Sequence, residues 1–258
     1  MTTVSRQNTA KSADSPSFSV VLFDLDDTLF DHQRAVALGV AAQRRAHGGA
    51  LAEADDDEEM RRWHHLEELH YGRYLHGELT LQEQRRVRVQ EFVRAHGIEL
   101  DATAADRWYS DYLAHYDQSW LLHDDSLPTL DELERVLPGV RFGIVTNAEL
   151  GYQTPKLDRL GLSPRMQHVI ASGEVGYPKP DPRIFLHACE LFGVEPSRAV
   201  YVGDRLQTDA RGAHDTGLTG VWIDRGIVIP SADELADAKA AGVLTITSLD
   251  ELPSLLAR

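Results

Sequence analysis

The sequence contains a single cysteine, few basic residues relative to acidic ones, and no long hydrophobic run. Because Cys189 has no second cysteine to pair with, an intrachain disulfide and a CxxC-type zinc site are excluded. Cys189 lies in an apolar stretch typical of a helix, so we expect its thiol to be buried. No apolar stretch approaches the ~20 residues that a membrane-spanning helix needs. Residues 1–17 are polar and have no apolar segment typical of a secretory signal, so we expect a disordered leader and a cytoplasmic protein.

The charge balance is acidic, with 26 Lys and Arg residues against 41 Asp and Glu residues and a net charge of −15. This balance argues against binding to nucleic-acid backbones, which requires cations that neutralise phosphates. It also argues against attachment to anionic membrane surfaces. We therefore expect neither a nucleic acid nor a membrane as a partner, and composition leaves a monomer and a homodimer equally open.

An acidic cluster directly follows the first predicted strand. The apolar run Val20–Phe23 is typical of a buried strand, and it leads into Asp24, Asp26 and Asp27. In parallel α/β sheets, ligands bind outside the carboxyl ends of the strands. Carboxylates crowded at such an end repel one another, and a bound divalent cation would relieve that repulsion. The alternative for this stretch, taken alone, is an acidic turn solvated by water.

Strand and helix signals alternate through most of the chain. Further strands are predicted at 140–145, 168–171, 199–202, 221–223 and 243–246. Helices are predicted at 35–46, 60–76, 81–96, 102–119, 128–136, 152–160, 182–192, 206–216 and 231–241. This alternation predicts an α/β fold, a Rossmann-like parallel sheet with helices on both faces.

Residues 32–120 carry only helical signals and interrupt the alternation between the first and second strands. The sequence therefore predicts an α/β core domain made of residues 18–31 and 121–258, with an inserted α-helical cap domain at 32–120. Because the insertion emerges beside the acidic cluster, it could cover that edge of the sheet like a lid. A cap of this kind would favour small substrates over macromolecules.

Two arginines share the apolar face of one predicted cap helix. Thr80 and Glu83 form the capping-box signature that starts this helix. Arg85 and Arg88 project into the same sector as its apolar side chains. Either both side chains snorkel to the edge of the apolar stripe, or one of them reaches an anionic substrate.

Polar side chains also follow later strands. Thr146 and Asn147 end the second strand, where a hydroxyl and backbone N–H groups suit phosphoryl oxygens. Lys179 lies among three prolines, which favours a rigidly held cation. Asp204 and Asp209 follow the fourth strand, after a glycine that allows close approach of the backbone to a ligand. Taken alone, Thr146 and Asn147 are also consistent with a turn, and Lys179 with an exposed lysine in a Pro-rich loop.

Together these segments resemble the four ordered motifs of the haloacid dehalogenase-like (HAD) hydrolase superfamily. The first motif, DxDxT, corresponds to residues 24–28, and the second, a Thr or Ser that ends a strand, to Thr146. The third corresponds to Lys179 in a Lys-Pro-Asp-Pro setting, and the fourth, GDxxxxD, to residues 203–209. The stretch 151–161, with Gln153, Lys156 and Leu157, also resembles family members. The helical insertion resembles the cap that one large subgroup carries between motifs one and two.

The resemblance implies a role for each residue. Asp24 would be the nucleophile that forms an aspartyl-phosphate, and Asp26 would protonate the leaving oxygen and then activate water. Thr146 and Asn147 would bind the phosphoryl group. Lys179 would neutralise Asp24 and the phosphate.

The resemblance also implies Mg²⁺ as the cofactor. Its ligands would be the Asp24 carboxylate, the Asp26 backbone carbonyl and Asp204, while Asp209 would act through water or through another ligand. A carboxylate that attacks an anionic phosphate faces strong repulsion, which a divalent cation reduces.

The function implied is a Mg²⁺-dependent phosphatase that hydrolyses a small phosphorylated metabolite, either a nucleotide or a sugar phosphate. Dehalogenases of the superfamily lack an acid two residues after the nucleophile and need no Mg²⁺, so Asp26 favours a phosphate substrate. Two alternatives remain: a phosphomutase of the same superfamily, and a non-catalytic binding or regulatory module on the same fold.

Overall fold

The computed structural model describes residues 18–257, so the predicted leader at 1–17 lies outside the described residues. These residues form two compact units. The core unit comprises the described residues up to Leu29 and those from Asp124 onward, and the helical unit comprises Phe30–His123. Each unit has its own buried centre.

A sheet of parallel strands forms the centre of the core unit. The strands are β1 Val20–Phe23, β2 Arg141–Thr146, β3 Met166–Ala171, β4 Ala199–Gly203, β5 Thr219–Ile223 and β6 Leu244–Ile246. Their order across the sheet is β3-β2-β1-β4-β5-β6. Val20 of β1 lies opposite Arg141 on one side and Ala199 on the other, so β1 is paired on both edges. This arrangement confirms the predicted parallel sheet.

The helices of the core unit follow the strands. They are α6 Ser126–Val136, α7 Leu150–Arg159, α8 Ser172–Val175, α9 Pro182–Phe192, α10 Gly212–Asp215, α11 Ala232–Ala241 and α12 Leu252–Leu256, with 3₁₀ turns at Pro196–Arg198 and Leu249–Glu251 and a π-helix at Leu206–Arg211. All four residues of β1 are fully buried. Side chains alternate between the two faces of a strand, so both faces of the sheet are covered at β1, as expected for parallel sheets.

Helix α9 illustrates how local sequence sets the elements of the core unit. Asp181 accepts a hydrogen bond from the Arg183 backbone N–H and caps the helix, and Pro182 occupies its first turn. The helix ends at Gly193, whose φ of 63° lies in the left-handed region that favours glycine. Cys189 is buried in this helix as predicted, and burial raises the pKa of its thiol to about 11.

The helical unit consists of α-helices. They are α1 His32–His47, α2 Gly49–Glu53, α3 Asp56–Leu75, α4 Leu81–Arg94 and α5 Ala102–Gln118. Aromatic rings fill its centre: the Trp63 ring lies 5.1 Å from that of Phe92 and 5.7 Å from that of Trp108, measured between ring centroids. Across residues 18–257, no helix combines the length and the apolar character needed to cross a membrane.

Arg88 belongs to the centre of the helical unit. Its side chain is 3% exposed, its guanidinium lies 4.6 Å from the Trp63 ring, and Nη2 donates to the Tyr109 hydroxyl at 3.0 Å. Nη1 is paired with Glu67. Arg88 therefore does not snorkel to the edge of the stripe; it stabilises the packing through an ion pair and a cation–π contact. Arg85 lies over the ring of Tyr109, with its guanidinium carbon 5.2 Å from the ring centroid.

Candidate active site

Three of the predicted site residues lie at the carboxyl ends of three adjacent strands. Asp24 follows β1, Thr146 ends β2 and Asp204 follows β4, and β1 lies between the other two strands. The Asp24 backbone N–H donates to the Val202 carbonyl at 2.9 Å, which extends the pairing of β1 with β4 up to the site. The parallel sheet thus brings together residues that lie far apart in the sequence.

Lys179 connects the acidic residues. Its ammonium lies 2.7 Å from Asp24 Oδ1 and 2.6 Å from Asp209 Oδ1, and it donates to the Tyr201 hydroxyl at 2.8 Å. The lysine side chain is only 3% exposed. Burial disfavours the charged ammonium, but the two carboxylates outweigh that effect and raise the pKa of Lys179 above its ordinary value. The cation is therefore permanent at physiological pH.

The backbone of Lys179 is fixed by Asn147. The Asn147 Oδ1 accepts a hydrogen bond from the Lys179 N–H at 2.7 Å, and its Nδ2 donates to the Lys179 carbonyl at 3.0 Å. This reciprocal pair joins the loop after β2 to the loop before α9. The predicted contact between Asn147 and phosphate stays a prediction. The structure shows that the Asn147 side chain binds the backbone of Lys179.

Three buried carboxylates lie close enough together to hold a metal ion. Asp24, Asp204 and Asp209 each offer one oxygen, and these oxygens all lie within 4.8 Å of one another. A Cβ atom on Gly203 would lie 2.5 Å from the Asp209 Cβ, so only glycine allows Asp209 to approach β4 this closely. A donor set made of oxygens alone is the type that hard divalent cations prefer.

The electrostatics of this triplet are consistent with a cation site. Burial raises the pKa of Asp24 well above its ordinary value of 3.8; Lys179 counteracts this, and the neighbouring carboxylates reinforce it. Burial, followed by repulsion from Asp209, raises the pKa of Asp204 to about 7. Both shifts show that the protein groups alone do not fully compensate the negative charges of Asp24 and Asp204. A divalent cation would favour their ionised forms.

Asp209 differs from the other two because protein donors already bind both of its oxygens. Oδ1 lies near the Lys179 ammonium and accepts from the Tyr201 hydroxyl at 3.2 Å, and Oδ2 accepts from the Arg205 backbone N–H at 3.0 Å. Tyr201 belongs to β4, and its hydroxyl also contacts the Val145 carbonyl at 3.0 Å. These contacts favour a supporting position for Asp209 over direct coordination.

Asp26 is bound by two side chains of α7. Lys156 Nζ donates to Asp26 Oδ1 at 2.6 Å, and Gln153 Nε2 donates to Oδ2 at 2.8 Å. The same Nε2 lies 3.2 Å from Thr146 Oγ1. Gln153 and Lys156 are three residues apart and therefore share one face of the helix.

Sequence reasoning gave no role to Gln153, Lys156 or Tyr201. For the first two, a signal was available: a helix that directly follows a motif strand places residues i and i+3 on one face. Tyr201 carries no such signal, because a tyrosine inside a strand is typical of an ordinary core residue. Its hydroxyl contacts Lys179, 22 residues earlier in the chain, only through the tertiary fold.

A family model matches most of this chain, and curated relatives match part of it. The family model for haloacid dehalogenase-like hydrolases matches residues 18–217. A glyceraldehyde 3-phosphate phosphatase of Methanopyrus kandleri is 43% identical over 104 residues, which cover 40% of this chain and 44% of that protein. The N-acylneuraminate-9-phosphatase of Mus musculus is 33% identical over 150 residues, 58% of this chain and 56% of that protein. The chain thus spans about half the length of the curated relatives it matches.

A solved structure shares the fold along nearly the whole chain. The HAD hydrolase YfnB of Bacillus subtilis, crystallised with magnesium bound, aligns with a TM-score of 0.71 at 22% identity. The alignment covers 93% of this chain and 98% of that chain. At this level of identity the likeness establishes the fold.

Proposed function

Because this chain belongs to the haloacid dehalogenase-like hydrolases, we propose that it is a Mg²⁺-dependent phosphatase that acts on a small phosphorylated metabolite. The observation that carries the proposal is the position of the buried Asp24 carboxylate. It lies 2.7 Å from the Lys179 ammonium, and one of its oxygens lies within 4.8 Å of oxygens of Asp204 and Asp209. Relatives named as phosphatases of sugar-type phosphates support this reaction class.

The first step of the proposed reaction is attack on phosphorus by a carboxylate oxygen of Asp24. A bond forms between this oxygen and phosphorus, and the bond from phosphorus to the leaving oxygen breaks. Asp26 gives a proton to the leaving oxygen, so the product departs as a neutral alcohol. Lys179 offsets negative charge on the attacked phosphoryl group, and the Thr146 hydroxyl contacts its oxygens.

The second step regenerates the enzyme. A water molecule attacks the phosphorus of the aspartyl-phosphate and gives a proton to Asp26, which restores the proton lost in the first step. The bond between phosphorus and the Asp24 oxygen breaks, and inorganic phosphate leaves. Both steps need Asp26 close to the reacting oxygen.

The residues present fit Mg²⁺. We expect Asp24, Asp204 and the Asp26 backbone carbonyl to hold the ion, with Asp209 supporting them. When bound, the ion would supply the positive charge that lowers repulsion between Asp24 and the phosphate and would help to orient the phosphoryl group.

The remaining parts of the proposal concern substrate and organisation. We propose that the helical unit, Phe30–His123, is the cap domain and that it selects a sugar phosphate or a nucleotide. A cytoplasmic location, and the absence of nucleic-acid and membrane partners, stay predictions from the sequence. The phosphomutase and the non-catalytic module also stay alternatives.

The test is hydrolysis of an aryl phosphate and of a panel of sugar phosphates and nucleotides, with Mg²⁺ and with EDTA. We expect Mg²⁺-dependent turnover that the Asp24→Asn variant loses, while Asp233→Asn, at an exposed position of α11, retains it. Absence of turnover with any divalent metal would contradict the proposal and favour the binding module. Transfer of phosphate to a second sugar would indicate a phosphomutase, and halide release without metal a dehalogenase.

A further inference from the structure

Both carboxylate oxygens of Asp26 are bound by side chains that lie outside the four sequence motifs. Lys156 binds one oxygen at 2.6 Å and Gln153 binds the other at 2.8 Å. The Asp26 side chain is 32% exposed, whereas the Lys156 side chain is 2% exposed and Gln153 is fully buried. Two covered donors therefore hold a carboxylate that is itself accessible.

Packing alone does not account for a lysine and a glutamine at these positions. Burying an ammonium costs several kcal/mol unless it is paired, and a buried amide requires hydrogen-bond partners. Gln153 Nε2 contacts both Asp26 and Thr146, while its Oε1 is buried with no hydrogen-bond partner among the described residues. The orientation of the Gln153 amide is thus set by the acceptors that its nitrogen contacts.

We propose that Gln153 and Lys156 are positioning residues that fix the rotation of the Asp26 carboxylate toward the leaving oxygen of the substrate. This inference rests on the proposed function, in which Asp26 gives that oxygen a proton. A carboxylate accepts about four hydrogen bonds, so contacts from Lys156 and Gln153 are compatible with a further contact to a substrate. Proton transfer requires an Asp26 oxygen to lie ~2.6–3.2 Å from the leaving oxygen of the substrate. A carboxylate that rotates freely would reach this geometry less often.

Positioning of Asp26 should matter most for substrates whose leaving oxygen needs a proton. In the first step the bond between phosphorus and the leaving oxygen breaks as Asp24 bonds to phosphorus. An alkoxide is strongly basic and needs the proton from Asp26, whereas p-nitrophenolate is stable as an anion. The parameter kcat/KM reports only the steps up to release of the leaving group, so it isolates this difference.

The experiment uses the full chain with Mg²⁺. It compares kcat/KM for p-nitrophenyl phosphate with kcat/KM for an alkyl phosphate that the wild type hydrolyses. For Lys156→Met and Gln153→Glu we expect a loss of about 10–100-fold on the alkyl phosphate, part of the ~10²–10⁴-fold that general acid catalysis contributes, and a much smaller loss on p-nitrophenyl phosphate. Gln153→Glu keeps the size of the side chain but replaces the donor with an oxygen that repels Asp26. It carries the test if Lys156→Met does not fold. The control is Lys239→Met, at an exposed position of α11.

A second comparison tests whether Gln153 and Lys156 act through Asp26. In an Asp26→Asn background, Lys156→Met and Gln153→Glu should cause little further loss on the alkyl phosphate, because the group they position has gone. Equal losses on both substrates, or full additivity with Asp26→Asn, would overturn the inference while leaving the phosphatase proposal in place. A wild-type chain without activity on either substrate would overturn both.

Discussion

Lys179 is the residue on which the charge balance of the site depends. Its ammonium contacts Asp24 and Asp209 at 2.7 and 2.6 Å in a buried position. Replacing it with methionine, which is similar in length, leaves two carboxylates without their cation. Because loss of one partner of a buried ion pair costs about 3–5 kcal/mol, we expect Lys179→Met to lower the free energy of unfolding of the metal-free protein by about that amount and to abolish turnover.

Urea unfolding in EDTA measures the first effect, and the aryl phosphate assay measures the second. Lys239→Met removes the same charge from the surface and should change neither quantity. An unfolding midpoint equal to that of the wild type would show that Lys179 does not hold the acidic residues together.

Asp204 connects stability to pH and to metal. Its pKa, raised to about 7 by burial and then by Asp209, lies above the ordinary value of 3.8. The folded state therefore binds this proton more tightly than the unfolded state, and the corresponding stability is complete below about pH 4 and lost as pH rises through about 7. A metal ion that displaces the proton should act in the opposite direction.

We therefore expect the increase in Tm caused by Mg²⁺ to be small at pH 5 and larger at pH 8. Thermal unfolding with Mg²⁺ and with EDTA across this range measures the effect. Asp204→Asn should remove most of the pH dependence, and Asp233→Asn should leave it unchanged. A Mg²⁺ effect that is equally large at pH 5 would contradict the assignment of Asp204 as a ligand.

The roles of single residues were only partly predictable. The order and spacing of the acidic residues, Thr146 and Lys179 suggest the motifs in the sequence, and the structure brings these side chains together although Lys179 lies in the loop before α9 and not at the end of a strand. The contacts of Asn147 with the Lys179 backbone could not be predicted, since they join loops that lie 32 residues apart. For Gln153 and Lys156 the sequence indicates a shared helix face, but it does not indicate Asp26, more than 120 residues away, as the partner.

At the scale of secondary-structure elements, caps and breaks made α9 predictable over 182–192. The segment after β4 differs, because the sequence predicts one α-helix over 206–216 and the structure has a π-helix at Leu206–Arg211 followed by α10. The wider turns accompany the placement of Asp209, whose Oδ2 accepts from the Arg205 N–H. No residue pattern marks an i to i+5 hydrogen bond in advance, and π-turns of this kind are frequent at functional sites.

Gly220 in β5 lies at a close contact between this strand and the π-helix. A Cβ atom at this position would lie 2.0 Å from the Ala210 carbonyl oxygen, which belongs to the backbone and cannot rotate away. We expect Gly220→Ala to lower the free energy of unfolding by about 1–3 kcal/mol or more, as measured by urea unfolding. Gly151→Ala in α7 is the matched control, because no atom lies within 4 Å of its added Cβ.

The control should be neutral or slightly stabilising, since alanine favours a helix over glycine by about 0.5–1 kcal/mol. If Gly220→Ala were as stable as the wild type, the π-helix would not pack against β5 as described.

At the scale of the whole chain, helical signals alone fill the region between β1 and β2, and this pattern is the basis for expecting an inserted helical domain there. The contacts that join the ends of the core segments have no such signal in the sequence. Arg225 forms a two-pronged ion pair with Asp125 at 2.7 and 2.9 Å and donates to the Thr28 carbonyl at 2.9 Å. Ser126 Oγ donates to the Leu29 carbonyl at 2.8 Å. These contacts join positions about 100 and 200 residues apart, which no local pattern encodes.

The ion pair of Arg225 should therefore stabilise the two ends of the core segments, at Leu29 and Asp124. The side chains of Arg225 and Asp125 are 12% and 10% exposed, so breaking the pair leaves a nearly buried carboxylate. We expect Arg225→Met to lower the free energy of unfolding by about 2–4 kcal/mol and to speed amide hydrogen exchange at residues 28–29 and 124–126. Arg135→Met, which breaks an exposed pair with Glu132, should cost at most about 1 kcal/mol. Equal exchange rates at these residues in Arg225→Met and the wild type would show that β1 and α6 are held by other contacts.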